Sequence, residues 1–195
     1  MADEDAYEEV DLANAVLSDQ RAGNVVFQGA RWTKVDVSGS RLEQLRLEHC
    51  RLSACNLANL QARRASLARV SIQSSRLTGI HLPEALLRDV TIQDSRVDLA
   101  SFSFSRLVRV TFEDCLLAQA DFLQTQLESV RFHRCDLTGA DFRGAQLQSC
   151  EFRRSELTGL EGVQSLRGAA MEWPDIIAMA GVWAGALGIE VLDTD

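Results

Sequence analysis

Apolar residues recur at every fifth position through most of this chain. From Phe27, the column runs Trp32, Val37, Leu42, Leu47, Leu52 and onward to Leu157, with 27 apolar residues in succession. Against the overall hydrophobic share of 46%, chance gives such a run roughly once in a billion trials. Two places before each member lies a second column, from Val25, Ala30, Val35 and Ser40 to Ser155, built mostly of Ala, Val, Ser and Cys. All 34 charged residues between Arg21 and Leu160 occupy the other three positions. Helices repeat every 3.6 residues and strands every 2.0, so neither alone produces this pattern. A chain that points the first and third of every five residues inward turns a corner in each unit. Four units close a square coil.

Glycine supports a 20-residue coil. Four of the seven glycines between residues 21 and 160 lie at multiples of 20 from each other, Gly39, Gly79, Gly139 and Gly159, with Asn59 in the same column. Glycine permits the positive φ of a tight corner, and asparagine is the next best residue there. Phe102, Phe112, Phe122, Phe132, Phe142 and Phe152 are ten apart, with leucines between them from Leu107 to Leu157. Phenylalanine is therefore expected to stack on two opposite walls and leucine on the other two.

Three units are especially regular: Ala120-Asp121-Phe122-Leu123-Gln124, Cys135-Asp136-Leu137-Thr138-Gly139 and Ala140-Asp141-Phe142-Arg143-Gly144. In this A(D/N)LXX-like pattern the chain resembles the pentapeptide-repeat family over about residues 25–160. The resemblance implies an all-β solenoid, a right-handed quadrilateral parallel β-helix with four repeats per coil. At about 4.8 Å per coil, units centred from Phe27 to Leu157 make a body roughly 31 Å long.

The two ends depart from the pattern. Residues 1–24 hold seven acidic residues before Arg21-Ala22-Gly23-Asn24 breaks the period, and read as an acidic segment or a degraded first coil with weak units at Leu12 and Leu17. Residues 161–195 lose the period and read as a capping segment with a helix over about 174–187, Pro174 in its first turn and Gly188 at its C-terminal cap. Residues 189–192 could add a short strand. Trp173, Ile176, Ile177, Trp183 and Leu187 make this segment more apolar than one helix face on a square end requires, which predicts a homodimer through it. The resemblance agrees, because gyrase-targeting members pair through C-terminal helices.

The formal charge of −8 and pI of about 4.9 argue against a protein that grips nucleic acid by neutralising phosphates. No apolar run follows the acidic N-terminus, and the stretch at about 176–189 is too short to span a bilayer. A cytoplasmic protein without membrane contact is expected. Cys50, Cys55, Cys115, Cys135 and Cys150 all fall in the small inward column, where a reduced thiol acts as a small hydrophobe. His49, His81 and His133 are far apart, and neither zinc spacing, a phosphate loop nor a nucleophile with its base occurs. Catalysis, a metal and a cofactor are not expected.

Two surfaces stand out. Leu99, Phe104 and Leu123 are apolar residues in outward columns, clustered near Pro83. Asp36, Asp98, Asp136 and Glu156 form an acidic wall, interrupted by Arg76 and Arg96. Charge is uneven: residues 1–20 contribute −7 and 161–195 contribute −5, while 21–160 hold 19 basic and 15 acidic residues. The leading expectation is a non-catalytic scaffold that binds a protein partner through its solenoid surface. The resemblance supplies an alternative, a DNA-mimicking protector or inhibitor of DNA gyrase or topoisomerase IV conferring quinolone or natural-product resistance, as in bacterial members. The positive repeat body weakens it. An enzyme ranks third.

Overall fold

Each residue on a wall pairs in parallel with the residue 20 positions later. In this computed structural model, which describes residues 4–192, the first wall stacks Ala6, Val26, Arg46, Ser66, Leu86, Arg106, Gln126 and Gln146. The second wall stacks Asp11, Arg31, Arg51, Ser71, Thr91, Thr111, Arg131 and Glu151. The third runs from Val16 through Asp36 to Glu156, and the fourth from Arg21 through Arg41 to Glu161. The result is a four-sided parallel β-solenoid of about eight turns. Its seven steps at strand spacing give roughly 34 Å between first and last rungs.

The core follows from the two inward columns. The six phenylalanines from Phe102 to Phe152 are fully buried, in two stacks. Phe102, Phe122 and Phe142 stack at 5.3 and 4.8 Å, and Phe112, Phe132 and Phe152 at 5.2 and 4.9 Å. The two stacks meet edge to face, at 5.6 Å for Phe122 and Phe132, the arrangement that ring quadrupoles favour. The second column is small because its side chains lie against the backbone of the preceding coil. Ser105 accepts the Ala85 N–H at 2.8 Å and donates to the Leu82 carbonyl at 2.8 Å. Thiols do the same, as when Cys150 donates to the Leu127 carbonyl at 3.3 Å. A hydroxyl or thiol can thus be buried there with its hydrogen bonds made.

Every corner residue is left-handed, from Glu4 to Gly159, and 26 of the positive-φ residues are not glycine. The glycine column at Gly39 is therefore not conformationally special, contrary to the expectation from its spacing. At corners that have a coil to follow, the amide donates to the carbonyl 19 residues on, as Lys34 does to Ser53 at 2.9 Å. That bond in every coil offsets the left-handed cost of about 1–2 kcal/mol.

The solenoid begins earlier than the break at 21–24 suggests. Ala22 fills the central column at 8% exposure, and the strand Arg21–Gly23 pairs with Arg41–Glu43. Tyr7 stacks on Phe27 at 4.8 Å, and Leu12 and Leu17 pack half-buried on the core. Residues 1–3 and 193–195, parts of the two terminal segments, lie outside the described residues.

At the other end the register slips by one, since Glu151 pairs with Ala170. A 3-10 helix at Val163–Leu166 precedes the strand Ala170–Met171. The last strand is there, and residues 189–192 form none. The single expected helix is two, α1 (Trp173–Ala178) and α2 (Ala180–Ala186), broken at Met179, which is buried to 3% exposure. Pro174 lies in the first turn and Gly188 is left-handed at φ 72. No helix among the described residues is long and apolar enough to cross a membrane.

Asp175 joins cap to coil. The Arg154 corner amide has no following coil to receive it, and donates to Asp175 Oδ2 at 3.0 Å. Asp175→Ala should therefore cost about 1–3 kcal/mol by orphaning that amide. Chemical denaturation checks this, and an unchanged midpoint would show that water serves the amide equally well.

Candidate interaction surfaces

Leu99 and Phe104 stand at consecutive corners of the fourth wall, 56% and 55% exposed. They are the two large apolar side chains among the non-glycine left-handed residues, the rest being polar, charged or alanine. The Phe104 N–H donates to the Leu123 carbonyl at 2.9 Å, so these two residues lie side by side on adjacent coils. Leu123 is half-buried, its own N–H held by Asp121 Oδ1 at 2.8 Å. Asp121 also receives Ser101 Oγ at 2.9 Å. One coil back, Arg64 and Arg63 bind the Glu84 carboxylate and hold it below its ordinary pKa. Leu116, 44% exposed, extends the apolar surface onto the third wall.

The four acidic residues do not gather. Only Asp136 and Glu156 are neighbours in register; Asn56, Arg76, Arg96 and Leu116 separate them from Asp36. Asp98 lies in the next column, bonded by Thr78 Oγ1 at 2.9 Å. Asp36 and Glu156 each accept the hydroxyl and amide of the residue two places on, Ser38 and Thr158, which lowers both carboxyls.

The cap residues divide. Ile176 and Trp183 are half-buried, whereas Trp173, Ile177 and Leu187 are 76%, 68% and 76% exposed. Ile189, Val191 and Leu192, which follow in the chain, are exposed as well.

Chemistry-bearing groups stay dispersed. No group of three His, Cys, Asp or Glu able to hold a metal occurs among the described residues. The five thiols are buried, and Cys115 drives up the Cys135 thiol by hydrogen bonding. His49 Nε2 accepts Arg69 Nε at 2.8 Å, and His133 lies 3.3 Å from Glu151.

Sequence reasoning missed an axial division of charge. Residues 21–80 hold ten basic and three acidic residues, net +7, and residues 81–160 hold nine and 12, net −3. In the far half every arginine but Arg88 has a carboxylate within 4.0 Å among the described residues, as Arg109 has Asp89 at 2.6 Å and Arg134 has Asp114 at 2.7 Å. In the near half Arg21, Lys34, Arg46, Arg51 and Arg76 have no carboxylate within 4.0 Å among the described residues. Dividing the repeat body at residue 80 rather than taking it as one total exposes this band.

Among solved structures, HetL, a pentapeptide repeat protein of heterocyst differentiation regulation from the cyanobacterium Nostoc, is 19% identical with a TM-score of 0.43, over 87% of this chain and 90% of its own. QnrB1, a plasmid-mediated fluoroquinolone resistance protein, is 16% identical with a TM-score of 0.39, over 95% and 100%. A thylakoid-lumen pentapeptide repeat protein of Arabidopsis thaliana is 17% identical with a TM-score of 0.22, over 71% and 68%. Likenesses this distant carry nothing about activity. No curated protein matches the sequence significantly. The family model for a pentapeptide repeat region matches residues 46–122, 73–142 and 101–161, and with the 20-residue register on all four walls, the chain belongs to the pentapeptide-repeat family.

Proposed function

We propose that this protein is a non-catalytic scaffold that binds another protein through the Leu99, Phe104 and Leu123 surface. One observation carries the reading: two large apolar side chains occupy exposed left-handed corners, where every other large residue is polar. Neither burial nor backbone preference accounts for leucine and phenylalanine there, while apolar contact does. The surface is rimmed by Glu84 with its arginines and by Asp121, the apolar centre and polar rim of a protein interface. In this reading the exposed face of Trp173, Ile177 and Leu187 joins two copies.

Inhibition of gyrase or topoisomerase IV by DNA mimicry is the less favoured reading. A mimic needs acidic groups at phosphate-like intervals, and Arg76 and Arg96 stand in the middle of the acidic wall. The expected result is little inhibition of gyrase supercoiling, and loss of a purified partner's binding in Phe104→Asp with unchanged circular dichroism. Strong inhibition abolished by charge reversal at Asp98 and Asp136, yet untouched by Phe104→Asp, would reverse the ranking.

A further inference from the structure

A groove of about 530 Å³ follows the corner between the first and second walls, in the basic band. It opens because the corner column reads Glu9, Gly29, His49, Arg69 and Asp89, and Gly29 leaves a gap. Around the gap stand Arg31, Arg51 and Arg69, with the hydroxyls of Ser71 and Thr91 on the next rungs. We propose that this groove is a binding site for a phosphoryl group.

Arg31 and Arg51 are directly in register, one strand spacing apart. Like charges placed opposite each other destabilise a parallel ladder unless something neutralises them. Arg31 reaches Asp11 only at 3.6 Å, and Arg51 has no carboxylate within 4.0 Å among the described residues. Arg69 donates its Nε to His49 Nε2 at 2.8 Å, and its terminal nitrogens remain available. The groove therefore gathers three permanent cations around too little negative charge.

One carboxylate already leans over the opening. A Cβ on Gly29 would collide with Glu9, whose side chain folds across the gap without an ion pair of its own. A stronger anion entering the groove displaces it. Planar guanidinium forks paired with oxygen acceptors favour a compact dianion with three oxygens over a single carboxylate. A long polyanion fits poorly, because duplex DNA carries one charge per 1.7 Å, and the coil below and the half above the band are acidic. The groove lies on other walls than Phe104, so it stands independently of the scaffold's partner.

Titration calorimetry with pyrophosphate on the full chain tests the site. Saturable binding to one site per chain is expected, weakened about tenfold by Arg51→Gln. Glu9→Gln should tighten it about threefold by removing the competing carboxylate. Arg41→Gln, in the same band but on the fourth wall, should change it less than about twofold. A phosphoserine peptide that binds more tightly than pyrophosphate, and than its unphosphorylated form, assigns the site to a modified protein; the reverse order assigns it to a free phosphorylated molecule. The proposal falls if no saturable heat appears by about 10 mM pyrophosphate. It also falls if Arg41→Gln and Arg51→Gln weaken binding equally, or if a single-stranded oligonucleotide outbinds pyrophosphate through both.

Discussion

Phe122→Asp should leave no folded solenoid, and Phe122→Ala should lower stability by about 3–5 kcal/mol. Phe122 is at 0% exposure and touches four other rings. It stacks on Phe102 and Phe142 and meets Phe112 and Phe132 edge-on, at 6.3 and 5.6 Å. Truncation opens a hole that the neighbours cannot close, because each is fixed by its own coil. A carboxylate there has no partner and no water. Far-UV circular dichroism and denaturant midpoints separate the two variants. A native spectrum for Phe122→Asp would falsify the inward assignment of the whole column. Phe104→Asp, on an exposed corner, should leave the midpoint within about 0.5 kcal/mol.

Gly162→Ala should detach the C-terminal cap. Gly162 has φ 74 at the point where the chain leaves the last full coil. A Cβ there would lie 2.6 Å from both Arg143 Cα and Phe142 carbonyl carbon, backbone atoms that cannot rotate away. The 3-10 helix must move, and with it Val163, Leu166 and Met179, which cover the end of the core. Gly168 is a matched control: its φ is 85, but no atom lies within 4 Å of an added Cβ. Gly168→Ala should cost only the left-handed strain of about 1–2 kcal/mol, and Gly162→Ala clearly more. Hydrogen exchange at 150–171 reads the difference directly. Equal protection in the two variants would mean that the cap adapts around residue 162.

The stacked core was legible because its period in sequence is also its period in space. Phe102 lies over Phe122 for the reason that twenty residues make one turn. Where that identity weakens, so does the reading. Ala22 is inward, but beside Gly23 a small side chain gives no hydrophobic signal. Asp175 docks on Arg154 across an interval of 21, and Ala170 pairs with Glu151 across 19, so neither falls in a repeating column. The left-handed corners were hidden for a different reason. Interstrand amide–carbonyl bonds impose that conformation on Lys34 and Phe104 alike, whatever their preferences. The basic groove was missed because one total over residues 21–160 averages Arg31 and Arg51 with acidic residues such as Glu151, which shares their column at the far end.

The uniform corners give this molecule an unusual grammar of insertion and deletion. Every five-residue unit ends in the same left-handed bend and sends the same two columns inward. Adding 20 residues lengthens the rod by one turn and leaves every wall in line. Adding five instead rotates all later coils by a quarter turn while the chain still closes, at the cost of setting phenylalanine over leucine. Such a change placed between residues 109 and 120 would carry Leu123 off the face that bears Phe104 without unpicking either coil. Surface sites on this rod are thus set by counting, and a lineage can recombine its faces by slipping one unit.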